Sequence, residues 1–197
     1  MTSSLLDLTA LPTEWVYVCG DGTQIEMSYL LAAHGEAIAA MEATGLLEIN
    51  GSYGFALSVP IGHGATGWEA SDWDNPEKFI AYVGGRGRER DRYAANAVRK
   101  LRPWIRQAAA GCEFDSTLSM RQFAPELFEQ GVDSQNADGT FSWGDYPWGG
   151  AVVVSFRGFA LAGAVSGFSQ AQDDTVARLI LGTLAEQIIL GDGLLAH

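Results

Sequence analysis

The chain has few cysteines, few charged residues and no long apolar run. Its two cysteines, Cys19 and Cys112, are too few for a disulfide framework, and neither lies in the spacing of a metal-ligand motif. No apolar run reaches the roughly 18 residues that a membrane-spanning helix needs. The first residues, MTSSLLDL, lack the basic and apolar regions of a signal peptide. These absences predict a cytoplasmic protein with reduced thiols and no membrane partner.

Positive charge is also scarce, because 12 Lys and Arg residues face 24 Asp and Glu residues for a formal net charge of -12. A nucleic-acid partner is therefore not expected, since phosphate contacts need clustered positive charge. Eight of the twelve basic residues lie between Arg86 and Arg106. The charged fraction of 18% is below the about 25% of typical soluble domains. It predicts a homo-oligomer that covers apolar surface, or alternatively a larger core.

Apolar periodicity and turn signals predict a strand, a helix, several further strands and a second helix in the first half of the chain. Met27, Leu31, His34, Ile38 and Met41 repeat at helical spacing and predict a buried stripe. The pair Asn50-Gly51 is favoured in two-residue hairpin turns. The predicted elements are a strand at 15–19, a helix at 24–44 ended by Gly45, strands at 46–49 and 53–61, a strand at 79–83 broken by Gly84-Gly85, and a helix at 88–110.

The last third gives the clearest local prediction. The segments AVVVSF (151–156) and FALAGAV (159–165) are rich in strand formers and are separated by Arg157-Gly158, so they predict a β-hairpin. Ser169 is a candidate N-cap for a final helix that ends at Gly191. Strands grouped together with helices set apart favour an α+β fold with an antiparallel sheet.

The same third resembles the closing part of the GlcG/HbpS-like haem-binding family, also described as haem-degrading. That family ends in a Gly-Gly element, a strand, a short turn with Gly, a strand closing in Val-Ser-Gly, and a Gln-Asp pair that opens a helix. The corresponding residues here are Gly149-Gly150, AVVVSF, Arg157-Gly158, Val165-Ser166-Gly167 and Gln172-Asp173.

The resemblance implies a profilin-like central antiparallel sheet flanked by helices, self-assembly, and a ligand pocket at a subunit interface. It implies a single domain over 1–197, with an added N-terminal strand and an enlarged loop near 133–150. Haem is the cofactor most often attached to the family. By resemblance, Gly150, Ser166 and Gly167 line the pocket through backbone groups; the alternative is that they only shape turns.

Two histidines are candidate ligands. His34 lies in the apolar stripe of the first helix, and a neutral imidazole in an apolar pocket suits haem iron, so it is the predicted metal ligand. The alternative for His34 is a core histidine that donates to a backbone carbonyl. His63 lies in a Gly-His-Gly loop, where it could bind a ligand or move protons, or simply be polar surface.

The basic segment and the loop before the final hairpin supply the remaining candidates. Arg92 represents the arginines that could hold a carboxylate, since Arg binds carboxylates bidentately; pairing with the acidic remainder of the chain is the alternative. Trp148 could stack on a flat ligand or pack against a neighbouring subunit.

These features predict an oligomeric protein that binds a small molecule, haem or another flat anion. The alternative is a haem-independent enzyme of a metabolic or biosynthetic operon with a carboxylate-bearing substrate, and a third hypothesis is a structural or partner-binding assembly. No motif fixes a reaction, and the sequence predicts no catalytic residue.

Overall fold

The computed structural model describes residues 16–18, 24–58, 61–62, 80–109, 149–156 and 159–195. These ranges contain seven strands and four helices. They are, in chain order, β1 (Val16–Val18), β2 (Gln24–Glu26), α1 (Met27–Ala43), α2 (Leu46–Ile49), β3 (Tyr53–Ser58), β4 (Ile61–Gly62), β5 (Ile80–Arg86), α3 (Arg90–Ala109), β6 (Ala151–Phe156), β7 (Phe159–Ser166) and α4 (Gln170–Leu195).

The main sheet is antiparallel throughout. Its strands lie in the order β5, β3, β7, β6, and the short β4 pairs with the start of β7. Phe55 of β3 stands opposite Gly84 of β5 on one side and Val165 of β7 on the other. A separate two-stranded pair joins β1 to β2. The predicted α+β class is confirmed, and a profilin-like arrangement is compatible with this sheet.

Helices cover both faces of β3, and all six residues of that strand are buried. Side chains alternate between the two faces of a strand. Tyr53 and Phe55 point toward α1 and α4, because His34 of α1 contacts both rings and Phe55 lies beside Leu181 of α4 across Gly163. The opposite face carries Gly54, which lies against the backbone of α3. The sheet is thus the middle of three layers.

Gly54 is where α3 and the sheet approach most closely. A Cβ atom at this position would lie 1.9 Å from the backbone nitrogen of Ala94 and 2.2 Å from the carbonyl carbon of Tyr93. Only glycine leaves room for a helix backbone at that distance, because real Cβ contacts do not fall below 3.0 Å. The sequence of β3 therefore fixes the height of α3 above the sheet.

The predicted stripe of α1 is partly wrong. Leu31 is 54% exposed, and the buried residues of this helix are Leu30, Ala33, His34, Ala37 and Met41. The buried face is shifted by one residue because α1 packs against α4 as well as toward the sheet. The helix begins at Met27, after the strand β2, rather than at Gln24.

The strand predicted at 46–49 is wrong, because Leu46–Ile49 is a short helix that follows Gly45 in the left-handed conformation. The hairpin predicted at Asn50-Gly51 is also absent, since Asn50 has extended backbone (φ -143°) and leads into β3. Its side chain oxygen accepts a hydrogen bond from Ser52 N, and its amide donates to the carbonyl of Gly167. A tertiary contact thus replaces the local turn.

The hairpin predicted from 151 to 165 is confirmed as β6 and β7, with Val152 opposite Gly163. The predicted break at Gly84-Gly85 is wrong, because β5 continues to Arg86. The final helix continues through Gly191 to Leu195. Within the described part of the chain, no helix is both long and apolar enough to span a bilayer.

Candidate functional site

A cavity of about 480 Å³ lies between the first half of α3 and the segment that joins β7 to α4. The helix contributes polar and charged side chains to one wall, and the connecting segment contributes the opposite wall. The lining residues are Arg92, Tyr93, Asn96, Lys100, Ser166, Gly167, Phe168, Ser169, Gln170 and Asp173.

The wall from α3 is built from residues four apart. Arg92, Asn96 and Lys100 lie on one face of the helix, because residues at i and i+4 are stacked one turn apart. The Arg92 side chain is 37% exposed, whereas Asn96 and Lys100 are buried. The face therefore runs from a cationic group near solvent, through an amide, to a cation in the interior.

Lys100 and Asp173 form a buried ion pair at the inner end of this wall. Lys100 Nζ lies 2.8 Å from Asp173 Oδ2, and it also donates to the carbonyl oxygen of Val165 at 2.8 Å. Both charged side chains are at most 3% exposed. Two buried charges are tolerated only when they are paired and hydrogen-bonded, and this geometry meets that condition.

Asp173 is held in place from both sides. Its Oδ1 accepts a hydrogen bond of 3.0 Å from the backbone N–H of Phe168. Burial raises the pKa of Asp173 to about 6, while the Lys100 cation and the hydrogen bonds from Lys100 and Phe168 oppose that rise. Burial therefore makes this carboxyl group easier to protonate than an ordinary aspartate, and the Lys100 cation limits the effect.

Gly150 lies immediately behind the ion pair. A Cβ atom here would lie 2.7 Å from Asp173 Cβ and 3.0 Å from Lys100 Nζ, and the residue has φ of +113°. The carbonyl oxygen of Gly150 accepts a hydrogen bond from the N–H of Val165. Burial raises the pKa of the neighbouring Asp174, and a hydrogen bond from the Gly150 backbone opposes that rise. Gly150 thus supports the ion pair by leaving space for it.

The segment between β7 and α4 is fixed by a cap and by a long-range contact. Ser169 precedes α4, and both its N–H and its hydroxyl donate to Gln172 Oε1, at 3.2 Å and 2.7 Å. Gln172 is the third residue of the helix, so its acceptance of the Ser169 N–H is the half of a capping box in which the N3 side chain reaches back to the N-cap residue. Ser169 thus lies at the predicted start of the helix, and its hydroxyl bonds to the Gln172 side chain. The Asn50 amide holds the carbonyl of Gly167 from the other side. The second wall of the cavity is therefore ordered before any ligand arrives.

Asn96 places an unsatisfied polar atom beside the cavity. The residue is 4% exposed, and its Oδ1 is buried with no hydrogen-bond partner among the residues that the structure describes. A buried acceptor without a donor costs about 1–3 kcal/mol, which a ligand that donates there would recover.

His34 lies in a different place, between α1 and the sheet. Its Nε2 is 2.5 Å from the hydroxyl oxygen of Tyr53, and its ring contacts those of Phe55 and Tyr82. Burial lowers the pKa of His34 to about 4, so the ring is neutral at pH 7. The residue does not line the cavity, but Tyr53 stacks on Phe168, which does, with 5.9 Å between ring centroids.

The sequence-predicted site residues thus fall into three groups. Arg92, Ser166 and Gly167 line one cavity, with Gly150 behind it. His34 is separate from them, and His63 and Trp148 lie outside the described residues. The described ranges contain no group of three or more His, Cys, Asp or Glu side chains that could hold a metal ion.

Seven of the ten lining residues were not predicted as site residues, and the most important of them are Asn96, Lys100 and Asp173. The four-residue spacing of Arg92, Asn96 and Lys100 was a usable signal for the first two, since it places them on one helix face. Asp173 was used only as part of the Gln172-Asp173 pair that opens the final helix, and not as a site residue. Its pairing with Lys100 joins residues 73 positions apart, which no local pattern indicates.

Comparisons of the chain with protein-family models, with curated proteins and with solved structures gave no match. The resemblance to the GlcG/HbpS-like family therefore stays a prediction, and the geometry of the cavity is the basis for a functional conclusion.

Proposed function

We propose that the protein binds a small carboxylate-bearing molecule in the cavity between α3 and the start of α4. The observation that carries this proposal is the face formed by Arg92, Asn96 and Lys100. In a chain of formal net charge -12, two cationic side chains line the same cavity. Arg92 is the group that would take the carboxylate, because the guanidinium presents paired donors to carboxylate oxygens.

The state of the two cations supports this assignment of roles. Lys100 is matched by the buried Asp173, so its charge is balanced inside the protein. Arg92 lies 3.6 Å from the half-exposed carboxylate of Glu89, a surface contact that contributes little in water. A ligand carboxylate can therefore compete with Glu89 for the Arg92 guanidinium.

Aromatic side chains line the same cavity beside the polar ones. Tyr93 lies next to Arg92 on α3, and Phe168 lies on the opposite wall. Ring surfaces favour a ligand with a flat apolar part, because they offer large contact areas at a low cost in conformational entropy. The preferred ligand is thus a carboxylate attached to a flat or compact apolar body.

A matched ligand series tests the proposal. Binding of small carboxylic acids, for example benzoate and phenylacetate, is measured by calorimetry. The neutral amide of each acid is measured under the same conditions. We expect the acids to bind and the amides to bind at least about tenfold more weakly, since a charge-assisted hydrogen bond contributes about 1.5–3 kcal/mol.

Variants of two arginines on α3 complete this test. Arg92→Ala should remove the preference for the acid, whereas Arg90→Ala should keep it, because Arg90 pairs with Asp91 at the surface and does not line the cavity. Equal affinity for acids and amides, or an equal effect of the two substitutions, would contradict the proposal.

Haem stays a predicted ligand, and it belongs to the same chemical class because its propionates are carboxylates. The described residues do not supply the predicted axial ligand at the cavity, since His34 bonds to Tyr53 and lies elsewhere. Titration with haem checks this prediction directly. A Soret band distinct from that of free haem, weakened in His34→Ala or His63→Ala, would support it, and the free-haem spectrum alone would refute it.

Self-assembly, with the cavity near a subunit interface, is the other part of the proposal. It predicts that sedimentation of the purified chain gives a mass of at least twice 21.1 kDa. A monomer that binds carboxylates with the same affinity would remove the interface from the proposal and leave the cavity in it.

A further inference from the structure

We infer that Lys100 is a nucleophile that forms an imine with a carbonyl group of the bound molecule, so that the substrates are oxo acids. This inference rests on the proposed function, because it uses the carboxylate site at Arg92 to bring the carbonyl to Lys100. Both side chains line the same cavity on one face of α3. It turns a binding site into a site for covalent catalysis.

The position of the Lys100 amine is the first argument. Its nitrogen is held by the Val165 carbonyl and by Asp173, each at 2.8 Å, so a flexible side chain is fixed at the inner end of the cavity. Imine formation needs an amine oriented toward the carbonyl carbon, and a fixed amine removes much of the entropy that this encounter otherwise costs.

The choice of lysine is the second argument. The chain contains ten arginines and two lysines, Lys78 and Lys100. Arginine is the cation that suits a buried ion pair with a carboxylate, and it cannot be deprotonated in a protein. A lysine amine can lose its proton and attack a carbonyl, so the cation that is paired with Asp173 is of the type that has this chemistry.

Asp173 provides the proton transfers that the reaction needs. The ammonium group of Lys100 gives one proton to Asp173 Oδ2, and the free amine adds to the carbonyl carbon to form a carbinolamine. Asp173 returns its proton to the carbinolamine hydroxyl, which leaves as water while the carbon–nitrogen double bond forms. The products are a protonated imine, one water molecule and the Asp173 carboxylate, so atoms and charge balance.

The electrostatics of Asp173 fit this role. Its pKa of about 6 allows it to accept and return a proton near neutral pH, whereas an ordinary carboxylate is a weaker acceptor there. The groups that face it are Lys100, Asp174 and the N–H of Phe168. The protonated imine that forms keeps the positive charge beside Asp173, so the ion pair survives the reaction.

The competing explanation is that the pair only connects β7 to α4. Lys100 does tie the carbonyl of Val165 to Asp173 at the start of that helix. A purely structural pair would leave the amine inert toward carbonyl compounds, so chemical trapping separates the two explanations.

Reductive trapping on the intact chain is the experiment. The protein is incubated with cyanoborohydride and a flat oxo acid whose carbonyl is distant from its carboxylate, for example 3-(4-acetylphenyl)propanoate, because Arg92 and Lys100 are eight residues apart on α3. The reduced adduct is located by mass spectrometry of peptides. The experiment uses the Lys78→Arg variant, in which Lys100 is the remaining lysine. The N-terminal amine of the same protein measures the rate of unspecific labelling. We expect Lys100 to be labelled faster than that amine by on the order of 100-fold, as positioning predicts.

Controls connect the labelling to the cavity. Benzoate, which has the carboxylate but no reactive carbonyl, should slow the labelling of Lys100 in a saturable way. Arg92→Ala should slow it, and Arg90→Ala should not. Lys100→Arg, which keeps the charge beside Asp173, should abolish labelling at position 100 without abolishing folding as judged by its thermal unfolding.

The outcomes distinguish this inference from the proposed function. Carboxylate binding that depends on Arg92, with labelling confined to the N-terminal amine, overturns the nucleophile and leaves the binding site in place. Labelling of Lys100 that benzoate and Arg92→Ala do not affect also overturns it, because the amine then reacts independently of the site. Absence of carboxylate binding overturns both.

Discussion

The Tyr53 hydroxyl and Nε2 of His34 lie 2.5 Å apart in an aromatic cluster between α1 and the sheet. The residue that the sequence marked as a metal ligand is thereby engaged with a side chain of the core. Tyr53 is fully buried, and burial also raises the pKa of its hydroxyl well above its usual value. The contact is therefore one between two neutral rings at pH 7.

The first prediction is that His34 makes the protein sensitive to acid. Its folded pKa of about 4 lies below the unfolded value of about 6.5, so the unfolded chain binds a proton first as the pH falls. The stability from this residue is complete above pH 6.5 and is lost as the pH falls toward 4. The loss is about 3 kcal/mol of unfolding free energy, since one pKa unit corresponds to 1.36 kcal/mol.

Urea unfolding of wild type and His34→Gln at several pH values measures this loss. The difference between the two proteins isolates His34 from Asp173, whose raised pKa acts in the opposite direction between about pH 4 and 6. We expect the stability of wild type to fall relative to the variant as the pH is lowered from 6.5 to 4. Parallel curves would show that His34 does not titrate in this way.

The second prediction concerns Gly54. Gly54→Ala puts a methyl group into the backbone of α3, so the helix must move away from the sheet. Overpacking of this kind costs about 1–3 kcal/mol or more of unfolding free energy. The matched control is Gly35→Ala, in the exposed side of α1, where the added Cβ meets nothing within 4 Å.

The control should change stability in the opposite direction, by about 0.4–1 kcal/mol, because alanine suits a helix interior better than glycine. Both variants are compared by denaturant unfolding followed by tryptophan fluorescence. If Gly54→Ala were as stable as Gly35→Ala, α3 would not lie on β3 as described.

The third prediction concerns the pair of Lys100 and Asp173. Lys100→Met leaves a buried carboxylate without its cation and should lower the unfolding free energy by about 3–5 kcal/mol at pH 7. The loss should shrink as the pH is lowered, because the raised pKa of Asp173 lets the carboxyl become neutral in the folded state.

A double-mutant cycle measures the coupling within this pair. In Lys100→Met/Asp173→Asn, the unpaired charge is gone, and the side-chain amide oxygen that replaces the carboxylate can still accept from the N–H of Phe168. We expect the double variant to be more stable than the sum of the single variants implies, by about 1–3 kcal/mol. Additive losses would mean that the two side chains act independently.

The fourth prediction concerns Asn50, which joins the turn before β3 to the wall of the cavity. Asn50→Ala removes the donor to the Gly167 carbonyl and the acceptor of Ser52 N, and should cost about 1–3 kcal/mol. It should also weaken carboxylate binding, because the segment that contains Gly167 is then less ordered. Gln187→Ala is the control, since that side chain bonds to Glu36 at the surface; equal effects on binding would refute the connection.

The fold class and the last hairpin could be predicted because their signals are local. The strand formers on both sides of Arg157-Gly158 act within a few positions, and so does the contact of Ser169 with Gln172 at the start of α4. The strand predicted at 46–49 was wrong because Asn50 uses its side chain for a contact 117 positions away instead of a turn.

The site was predicted less completely than the fold, for the same physical reason. Arg92, Ser166 and Gly167 could be named one by one, but not the fact that they share a cavity. The ion pair of Lys100 and Asp173 depends on how α3 and α4 are placed relative to each other and to β7. That placement cannot be inferred from the spacing of residues in the sequence. His34 was named from an apolar stripe, which a core histidine satisfies as well as a ligand does.

The close contact at Gly54 has one more consequence. At Gly54 the backbone of α3 lies directly against the backbone of β3, without a side chain between them. The helix therefore has little freedom to shift or rotate relative to the sheet at this point. Arg92 and Lys100 are eight residues apart on that helix, so their levels are separated by about 12 Å at 1.5 Å per residue. The distance between these two cations is therefore constant, and for the proposed ligands we expect selection by the distance between the carboxylate and the group that reaches Lys100.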